Sequence, residues 1–308
     1  MTRVRSGRGT GGSAQAPHLA YDDVADASAA LVIEAYSSSF GLASRLLGAR
    51  VRPHVRNVYA LVRVADEVVD APRPGQPVGD RAAALDALER ETLAAMDSGA
   101  STNLVVHAFA RTARTCGIDA GLVRPFFASM RTDLELEQHD ERSLRTYVYG
   151  SAEVVGLMCL NAFLIDDPDR ARRYDALAPG AQRLGAAFQK VNFLRDLGED
   201  ADQLGRRYLP GIDPDALDGA AVRGWLDDVD ADLRAGAAVV PALPRSSRLA
   251  VCVAHDLFSE LSRRLREAPV GDLRRRRVRV PGPAKARLAA AALARDGRPR
   301  DATLVRAS

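Results

Sequence analysis

The apolar residues of this chain recur at three- and four-residue steps almost throughout, which is the spacing of one face of an α-helix. The segment from Val55 to Val69 shows it clearly and follows Pro53, a residue that suits the first turn of a helix. No stretch of useful length alternates apolar and polar residues as a half-buried strand does. The composition agrees, because alanine, leucine and arginine are abundant and favour helix. The sequence therefore predicts an all-α protein.

Breaks in this pattern suggest how the chain is divided. The segment 71–79 contains three prolines and two glycines, and we expect it to be a loop. Residues 1–17 are predicted to be a disordered lead-in, residues 18–295 one helical domain, and residues 296–308 a basic C-terminal tail. After the helix that begins near Pro53, further helices are expected over about 80–97, 103–116, 120–138, 143–165, 179–201, 214–239, 245–267 and 283–295.

Cysteine spacing and hydropathy exclude several classes of protein. Cys116, Cys159 and Cys252 lie too far apart for a disulfide framework or a zinc finger. The longest nearly apolar stretch, 154–165, is too short to span a bilayer, and the N-terminal residues lack the apolar segment of a signal peptide. We therefore expect a cytoplasmic protein, with peripheral contact at the inner face of the membrane as an alternative.

The net charge of +3 is unevenly distributed, because arginines crowd the segment 272–308. Such a segment can meet nucleic acid, membrane phosphates or a diphosphate ligand, or it can simply be solvated. Aromatic residues do not interleave with these arginines as they do in many single-strand binders, so no nucleic-acid partner is expected.

Two carboxylates stand four residues apart on a predicted helix that is otherwise apolar. In Arg63-Val-Ala-Asp66-Glu-Val-Val-Asp70, Asp66 and Asp70 share a face, and Arg63 lies one turn earlier. Two like charges side by side destabilise a helix unless a cation lies between them. A surface acidic pair is the alternative for this segment taken alone. We expect such a solvated or ion-paired face for Asp133 and Glu137.

A second predicted helix repeats the pattern and adds amides. Gln189, Asn192, Asp196 and Asp200 follow one another at steps of three and four, and Arg195 flanks their face. Amide and carboxylate oxygens suit Mg²⁺, which takes one or two protein carboxylates together with substrate phosphates. Two such helices facing each other would form a magnesium site that holds a diphosphate. The predicted metal ligands are Asp66, Asp70, Asn192, Asp196 and Asp200.

Further motifs accompany these two, spread from about residue 36 to residue 290. The full set comprises Ser37-Ser-Ser39-Phe40, Asp66-Glu-Val-Val-Asp70, Tyr147-Val-Tyr149-Gly-Ser-Ala-Glu-Val-Val-Gly156, Gln189 to Asp200, Arg207-Tyr-Leu-Pro210, and Arg276-Arg-Val-Arg-Val280 with Lys285. In type and order they resemble the motifs of the squalene and phytoene synthase family, the head-to-head prenyl transferases. The resemblance implies a single-domain isoprenoid synthase-type helical bundle around a central prenyl-diphosphate cavity.

The resemblance also implies a reaction and the residues that perform it. Two prenyl diphosphates are joined through a cyclopropylcarbinyl diphosphate, with Mg²⁺ as cofactor and Mn²⁺ as the alternative ion. The implied catalytic residues are Asp66, Asp70, Asp196, Asp200 and Tyr149. The implied substrate-binding residues are Ser37, Ser39, Phe40, Arg63, Gln189, Arg195, Arg207 and Tyr208. No glycine-rich nucleotide motif follows a strand, so NADPH is not expected.

The sequence leaves three functions open. The leading one joins two C20 geranylgeranyl diphosphates to give phytoene. Its rival joins two C15 farnesyl diphosphates to give squalene, dehydrosqualene or presqualene diphosphate, and a distant third is a non-catalytic helical binding protein. The chain also departs from the family pattern, since Glu153 stands where a glycine is usual and Phe258 where related chains often carry tyrosine.

Overall fold

The computed structural model describes residues 17–71 and 75–296. In this part of the chain the regular structure is helical, apart from one isolated bridge between Gln138 and Arg207. The α-helices are α1 (Pro17–Tyr36), α2 (Ser38–Arg45), α3 (Arg52–Asp70), α4 (Val78–Ser98), α5 (Leu104–Cys116), α6 (Ala120–Glu135), α7 (Glu141–Val148), α8 (Val154–Phe163), α9 (Arg170–Glu199), α10 (Gly219–Val239), α11 (Arg245–Glu267), α12 (Val270–Leu273) and α13 (Gly282–Asp296). The all-α prediction is confirmed.

Short non-α turns interrupt the helices at three places. A π-helical turn, Tyr149–Glu153, joins α7 to α8, and a second, Asp200–Leu204, extends α9. A short 3₁₀ turn, Val240–Ala242, follows α10. The sequence predicted a single helix over 143–165, whereas the structure divides that region at the first π turn. Such turns are common at functional sites, and both of these lie beside polar residues of the candidate site.

Helix α9 begins nine residues before the predicted start at Pro179, so that boundary was wrong. Pro179 lies inside the helix, where it removes one backbone hydrogen bond. The first turns of α9 are nevertheless packed, because Tyr174, Leu177 and Ala178 contact the cluster formed with Leu160, Leu164 and Val240. Tertiary packing therefore outweighs the local preference of proline to begin a helix.

Two large apolar clusters form most of the interior. Side chains of α3, α4, α5, α6 and α8 form the first, with Phe109, Phe126 and Phe127 among its buried residues. Side chains of α9, α10 and α11 dominate the second, which includes Leu194, Leu226 and Leu265. The C-terminal ends of α3 and α9 carry the predicted acidic residues, and Arg206, which follows α9 and its π turn, donates hydrogen bonds to the end of α3.

Most residues of the two predicted terminal segments lie outside the part of the chain that the structure describes. The N-terminal lead-in, except for Pro17 at the start of α1, and nearly all of the basic tail lie outside the described residues. So does part of the predicted loop 71–79, at positions 72–74. No helix of the part that is described is long and apolar enough to cross a membrane.

Helices α8 and α9 approach closely enough to require glycine. A Cβ atom at Gly185 of α9 would lie 2.5 Å from the carbonyl oxygen of Ala152, in the π turn that precedes α8. The obstructing atoms belong to the backbone, so they cannot be moved aside by a change of rotamer. Gly224, in the interior of α10, has nothing within 4 Å of its Cβ position.

We expect Gly185→Ala to lower the free energy of unfolding by about 2 kcal/mol, because the methyl group must push the π turn away from α9. Gly224→Ala is the matched control and should raise it by about 0.5–1 kcal/mol, since alanine is the better helix former and meets no neighbour there. Urea unfolding followed by circular dichroism measures both. Equal effects of the two substitutions would contradict the close approach.

Candidate active site

Five of the predicted residues lie at the ends of two neighbouring helices. Asp66 and Asp70 occupy the last turns of α3, whereas Asn192 and Asp196 lie near the end of α9 and Asp200 begins the π turn that follows. Arg206 joins the two ends. Its side chain donates to Asp70 at 2.5 Å, and its backbone N–H donates to the Asp200 carbonyl at 2.9 Å. The sequence prediction that these acidic segments face each other therefore agrees with the structure.

Burial and neighbouring carboxylates shift the pKa values of these acidic side chains. Burial and the charges of Asp196 and Asp70 raise the pKa of Asp200 to about 8. Burial and the charge of Asp70 raise the pKa of Asp66 to about 7, although Arg63 opposes the shift. Carboxyl groups with such raised pKa values are typical of functional sites, where a bound cation would favour their ionised form.

The donor set fits a divalent cation that it shares with a ligand. The Oδ1 atom of Asn192 is buried and accepts no hydrogen bond within the described part of the chain. Among the described residues no three His, Cys, Asp or Glu side chains are grouped closely enough to hold a metal ion by themselves. Mg²⁺ usually completes its shell with water and substrate phosphates, and the unpaired amide oxygen of Asn192 is a ligand of the type it accepts.

Arg206 is a residue of this site that the sequence analysis missed. It is 6% exposed and also donates to the carbonyls of Val69 at 2.9 Å and Asp133 at 3.1 Å. The neighbouring Arg207, which we had predicted to bind substrate, instead extends outward to Asp213 and Asp215. The segment is extended, so alternate side chains share a side. Since Tyr208 is buried, the alternation indicates that Arg206, two residues earlier, is buried on the same side.

We expected Asp133 to lie on a solvated or ion-paired face. It is buried, and it forms an ion pair with Arg206. Its two carboxylate oxygens accept hydrogen bonds from the hydroxyls of Tyr147 and Tyr208, each at 2.8 Å. Arg206 lies 3.8 Å away and also donates to the Tyr208 hydroxyl at 3.2 Å. Burial raises the pKa of Asp133 to about 6 despite these partners. Asp133 thus orients two tyrosines and an arginine toward the acidic helices.

The structure brings Tyr147, not Tyr149, into this network. Tyr149, which we had predicted to be catalytic, is 37% exposed, and its hydroxyl is near enough to Tyr174 to influence the pKa of that residue. Tyr147 is 4% exposed and stands three residues after buried Leu144, on the inner face of α7. Helical phase was therefore the signal that distinguishes the two tyrosines.

The N-terminal motif approaches the same site through Tyr59. Ser37 caps α2 by accepting the Phe40 N–H at 3.0 Å, and it also hydrogen-bonds the Tyr59 side chain. The guanidinium of Arg63 pairs with Asp66 at 2.6 Å and lies 4.4 Å from the centre of the Tyr36 ring. The side chain of Ser39 lies outside what the structure describes.

Phe40 belongs to an aromatic cluster contributed by different helices. Its ring centre lies 5.9 Å from Phe188 of α9 and 5.6 Å from Phe258 of α11. The rings of Phe188 and Phe258 stack at 3.9 Å, and Tyr59 of α3 lies 6.3 Å from Phe40. This cluster is apolar and stands next to the acidic ends of α3 and α9.

The remaining predicted residues lie on α9. Gln189 is half-buried one turn before Asn192. Arg195 turns back onto its neighbour Asp196 and donates to both carboxylate oxygens. Of the C-terminal basic residues, Arg277 contacts Asp196 at 2.9 Å. Burial and the charges of Arg195 and Arg279 lower the pKa of Lys285, so these three cations face one another.

Glu153, which departs from the family pattern in standing where a glycine is usual, points toward α9 and α10. Its carboxylate accepts from Gln182 at 3.3 Å, and burial raises its pKa. Beside it, the buried Asp232 of α10 pairs with Arg183 and Lys190 of α9, each at 2.8 Å. These ion pairs fix the rotation of α9, so that Gln189 and Asn192 face away from α10.

With this geometry in place, comparison with known proteins identifies the family. Residues 33–284 match the family described as squalene/phytoene synthase. The chain is 33% identical over 205 residues to phytoene synthase 3, chloroplastic, of Zea mays, covering 63% of this chain and 46% of the maize protein. It is also 33% identical over 194 residues to the 15-cis-phytoene synthase of a Paracoccus strain, covering 61% and 59%.

Solved structures agree on the fold. A dehydrosqualene synthase in complex with ligand superimposes with a TM-score of 0.75 at 23% identity, covering 91% of this chain and 99% of the other. A squalene synthase from Alicyclobacillus acidocaldarius gives a TM-score of 0.68 at 24% identity, covering 80% and 95%. The chain therefore belongs to the squalene/phytoene synthase family, and its match spans about half the length of these curated relatives.

The raised carboxylate pKa values predict how the stability of the metal-free protein depends on pH. Between pH 7 and pH 8 the unfolded carboxylates are ionised, whereas folded Asp200 and Asp66 still bind protons. The free energy of unfolding should therefore fall as the pH rises through this window. His54 and His139, whose pKa values are lowered by burial, stay neutral here.

Thermal unfolding in EDTA at pH 7.0, 7.5 and 8.0 tests this expectation. Asp200→Asn should flatten the slope, because the amide has no proton to lose. An unchanged slope in that variant would show that the pKa of Asp200 is not raised.

Arg206→Met should lower the free energy of unfolding by about 3 kcal/mol, because it leaves the buried carboxylate of Asp133 without its cation. Arg207→Met is the matched control one residue later and should change stability by less than about 0.5 kcal/mol, since Arg207 forms only exposed ion pairs. Denaturant unfolding measures both. A larger loss of stability at Arg207 than at Arg206 would contradict the buried ion pair of Arg206.

Proposed function

We propose that the protein condenses two molecules of geranylgeranyl diphosphate head to head to give phytoene. The observation that carries the proposal is that Arg206 links the end of α3, with Asp66 and Asp70, to the end of α9, with Asn192, Asp196 and Asp200. A helical binding protein has no use for two aligned carboxylate helices, since each raises the energy of the other. A site that recruits cations to hold diphosphate explains both.

These five residues are the proposed ligands of the metal. When bound, Mg²⁺ would neutralise the charge that develops on the departing diphosphate, which is Lewis-acid assistance. Arg206 contributes by fixing Asp70 in place, and its other donors are taken up by Val69, Asp133 and Tyr208. The first acidic helix is thus held ready before any ligand arrives.

The cationic side chains around the aspartates are suited to the diphosphate itself. Arg63 and Arg195 each lie beside a proposed metal ligand, and Arg195 faces Lys285 and Arg279. Guanidinium groups bind phosphate oxygens in a bidentate fashion, whereas ammonium groups act as point charges. Ser37 and Gln189 would add neutral hydrogen bonds.

The aromatic side chains next to this charged region suit a carbocation. Phe193 stacks on Tyr208 at 4.3 Å, and Tyr147 lies 5.2 Å from Tyr208. Aromatic faces attract a cation without reacting with it. Both tyrosine hydroxyls donate to Asp133, which fixes the orientation of the two rings. The cluster of Phe40, Phe188 and Phe258 would shield the prenyl chains from water.

The proposed reaction has two ionisations. In the first, the C1–O bond of one substrate breaks, its diphosphate leaves, and the double bond of the second substrate attacks C1 to form a cyclopropylcarbinyl diphosphate after loss of a proton. In the second, this intermediate loses its own diphosphate, rearranges, and releases a proton to give the C40 hydrocarbon. No electrons are gained, so NADPH is not required.

A C30 product is the second candidate. It is favoured by the structural likeness to dehydrosqualene and squalene synthases, whereas phytoene is favoured by the names of the relatives that are 33% identical. A relative named 4,4'-diapophytoene synthase, from Staphylococcus haemolyticus, is 26% identical over 170 residues. Sequence likeness therefore supports C40 more than C30.

The test is an extraction assay with purified protein, Mg²⁺ and an equimolar mixture of C15 and C20 diphosphates, with and without NADPH. We expect a C40 hydrocarbon whose yield does not depend on NADPH. Asp196→Asn should lower the yield by at least about a hundredfold, because it removes charge from a proposed metal ligand. Folding of the variant is checked by circular dichroism.

Each other outcome has a definite meaning. A C30 hydrocarbon would replace geranylgeranyl by farnesyl diphosphate as substrate, and dependence on NADPH would then identify squalene. No hydrocarbon from folded wild-type protein, or full activity in Asp196→Asn, would overturn the assignment of the acidic residues.

A further inference from the structure

Asp196 differs from the other proposed ligands in being paired with two arginines. Arg195 donates to Oδ1 at 2.8 Å and to Oδ2 at 2.5 Å. Arg277 donates to Oδ2 at 3.2 Å, and its Nε lies 2.9 Å from Oδ1. Both oxygens therefore already face cationic groups, and a metal ion that approaches Asp196 has to displace at least one of these contacts.

The neighbouring positions on the same face remain available. The carboxylate of Asp200 is held mainly among other carboxylates, and the buried Oδ1 of Asn192 accepts no hydrogen bond from any described residue. Of the three ligands on α9 and its π turn, Asp196 is therefore the one that is masked. One of the two arginines that cover Asp196 comes from a distant part of the chain, because Arg277 lies eighty-one residues after Asp196.

The segment that carries Arg277 holds it in place by its backbone. We call residues 274–281, between α12 and α13, the C-terminal strap. Its main chain lies directly on α9, since a Cβ at Gly198 would lie 2.1 Å from the carbonyl oxygen of Arg274. Arg274 also donates to the Gly198 carbonyl at 3.2 Å and to Asp202 at 2.5 Å. The strap can thus stay attached while the side chain of Arg277 moves.

Arg277 is the arginine of the two that can leave more easily. Its side chain is 40% exposed, against 22% for Arg195, and its second contact is the exposed Glu199 at 3.1 Å. Ion pairs of such exposed groups are weak, and water can replace them at little cost. Arg195 is held beside Asp196 by their adjacency on the helix.

We propose that Arg277 is a latch that sets how readily α9 takes up a divalent cation. While its guanidinium is on Asp196, that ligand of α9 is masked, whereas Asn192 and Asp200 are not. Release of Arg277 exposes Asp196, so cation uptake there is coupled to movement of a side chain on the strap. The inference rests on the proposed function, because it takes Asp196 to be a metal ligand.

Calorimetric titration of the full-length protein with Mg²⁺ alone, without any diphosphate, tests the latch. Arg277→Gln should bind Mg²⁺ about five-fold more tightly than the wild type, because no ion pair has to be broken first. Arg277→Lys should also bind more tightly. It keeps the positive charge but cannot grip both oxygens of Asp196.

Two further measurements separate a latch from a general effect of charge. Arg276→Gln removes the same charge from an exposed position of the strap and should leave the affinity within about twofold of the wild type. Hydrogen exchange should show that the amides of the strap keep their protection when Mg²⁺ is added to the wild type, because only the side chain of Arg277 moves; a loss of protection would mean that the strap itself detaches.

The outcomes that contradict the proposal are distinct. Unchanged affinity in both Arg277 variants, or tighter binding in Arg277→Gln but not in Arg277→Lys, would overturn the latch and leave the proposed function intact. If the wild type binds no Mg²⁺ even with inorganic diphosphate present, both the proposed function and the latch are wrong.

Discussion

One buried guanidinium organises the site, and the acidic helices depend on it. Arg206 lies where the end of α3, the π turn after α9 and the end of α6 converge, and it forms hydrogen bonds to all three. Without it, Asp70 and Asp133 would face each other across the interior with no opposite charge. Breaking a buried ion pair is costly because the remaining charge is neither paired nor hydrated. The geometry of the aspartates is therefore set by a residue that binds no metal.

A second charged cluster serves the opposite face of α9. Asp232 of α10, nearly inaccessible to water, holds Arg183 and Lys190 and so fixes the rotation of a long helix. Glu153 lies next to it and accepts from Gln182. Charge on one face of α9 thus anchors the helix, whereas charge on the other is left partly unsatisfied. The contrast explains how one helix can be both rigid and receptive to ligands.

Spacing along the chain was enough to predict most of the helices and to propose a ligand set. Aspartates and amides at steps of three and four define a face, and a face of like charges has few uses besides cation binding. In two places the structure puts a neighbour of the predicted residue into the buried network, Arg206 beside Arg207 and Tyr147 near Tyr149. Each turns on the phase of a short segment, and the π turn and the extended stretch after Gly205 both depart from α-helical phase. The burial of Asp133 was not predicted, because it depends on contacts with Tyr147 and Tyr208, which lie in other segments of the chain.

The π turn at Tyr149–Glu153 has a consequence for how related chains are compared. It carries one more residue than an α-helical turn would, and it takes up that residue within the turn. A face counted across it with a period of 3.6 residues is therefore displaced by one residue, about 100°, between α7 and α8. The side chains of α7 and of α8 keep a regular phase only when each helix is counted from its own side of the turn. A relative that lacks the extra residue can thus present the same faces with a sequence that is one residue shorter.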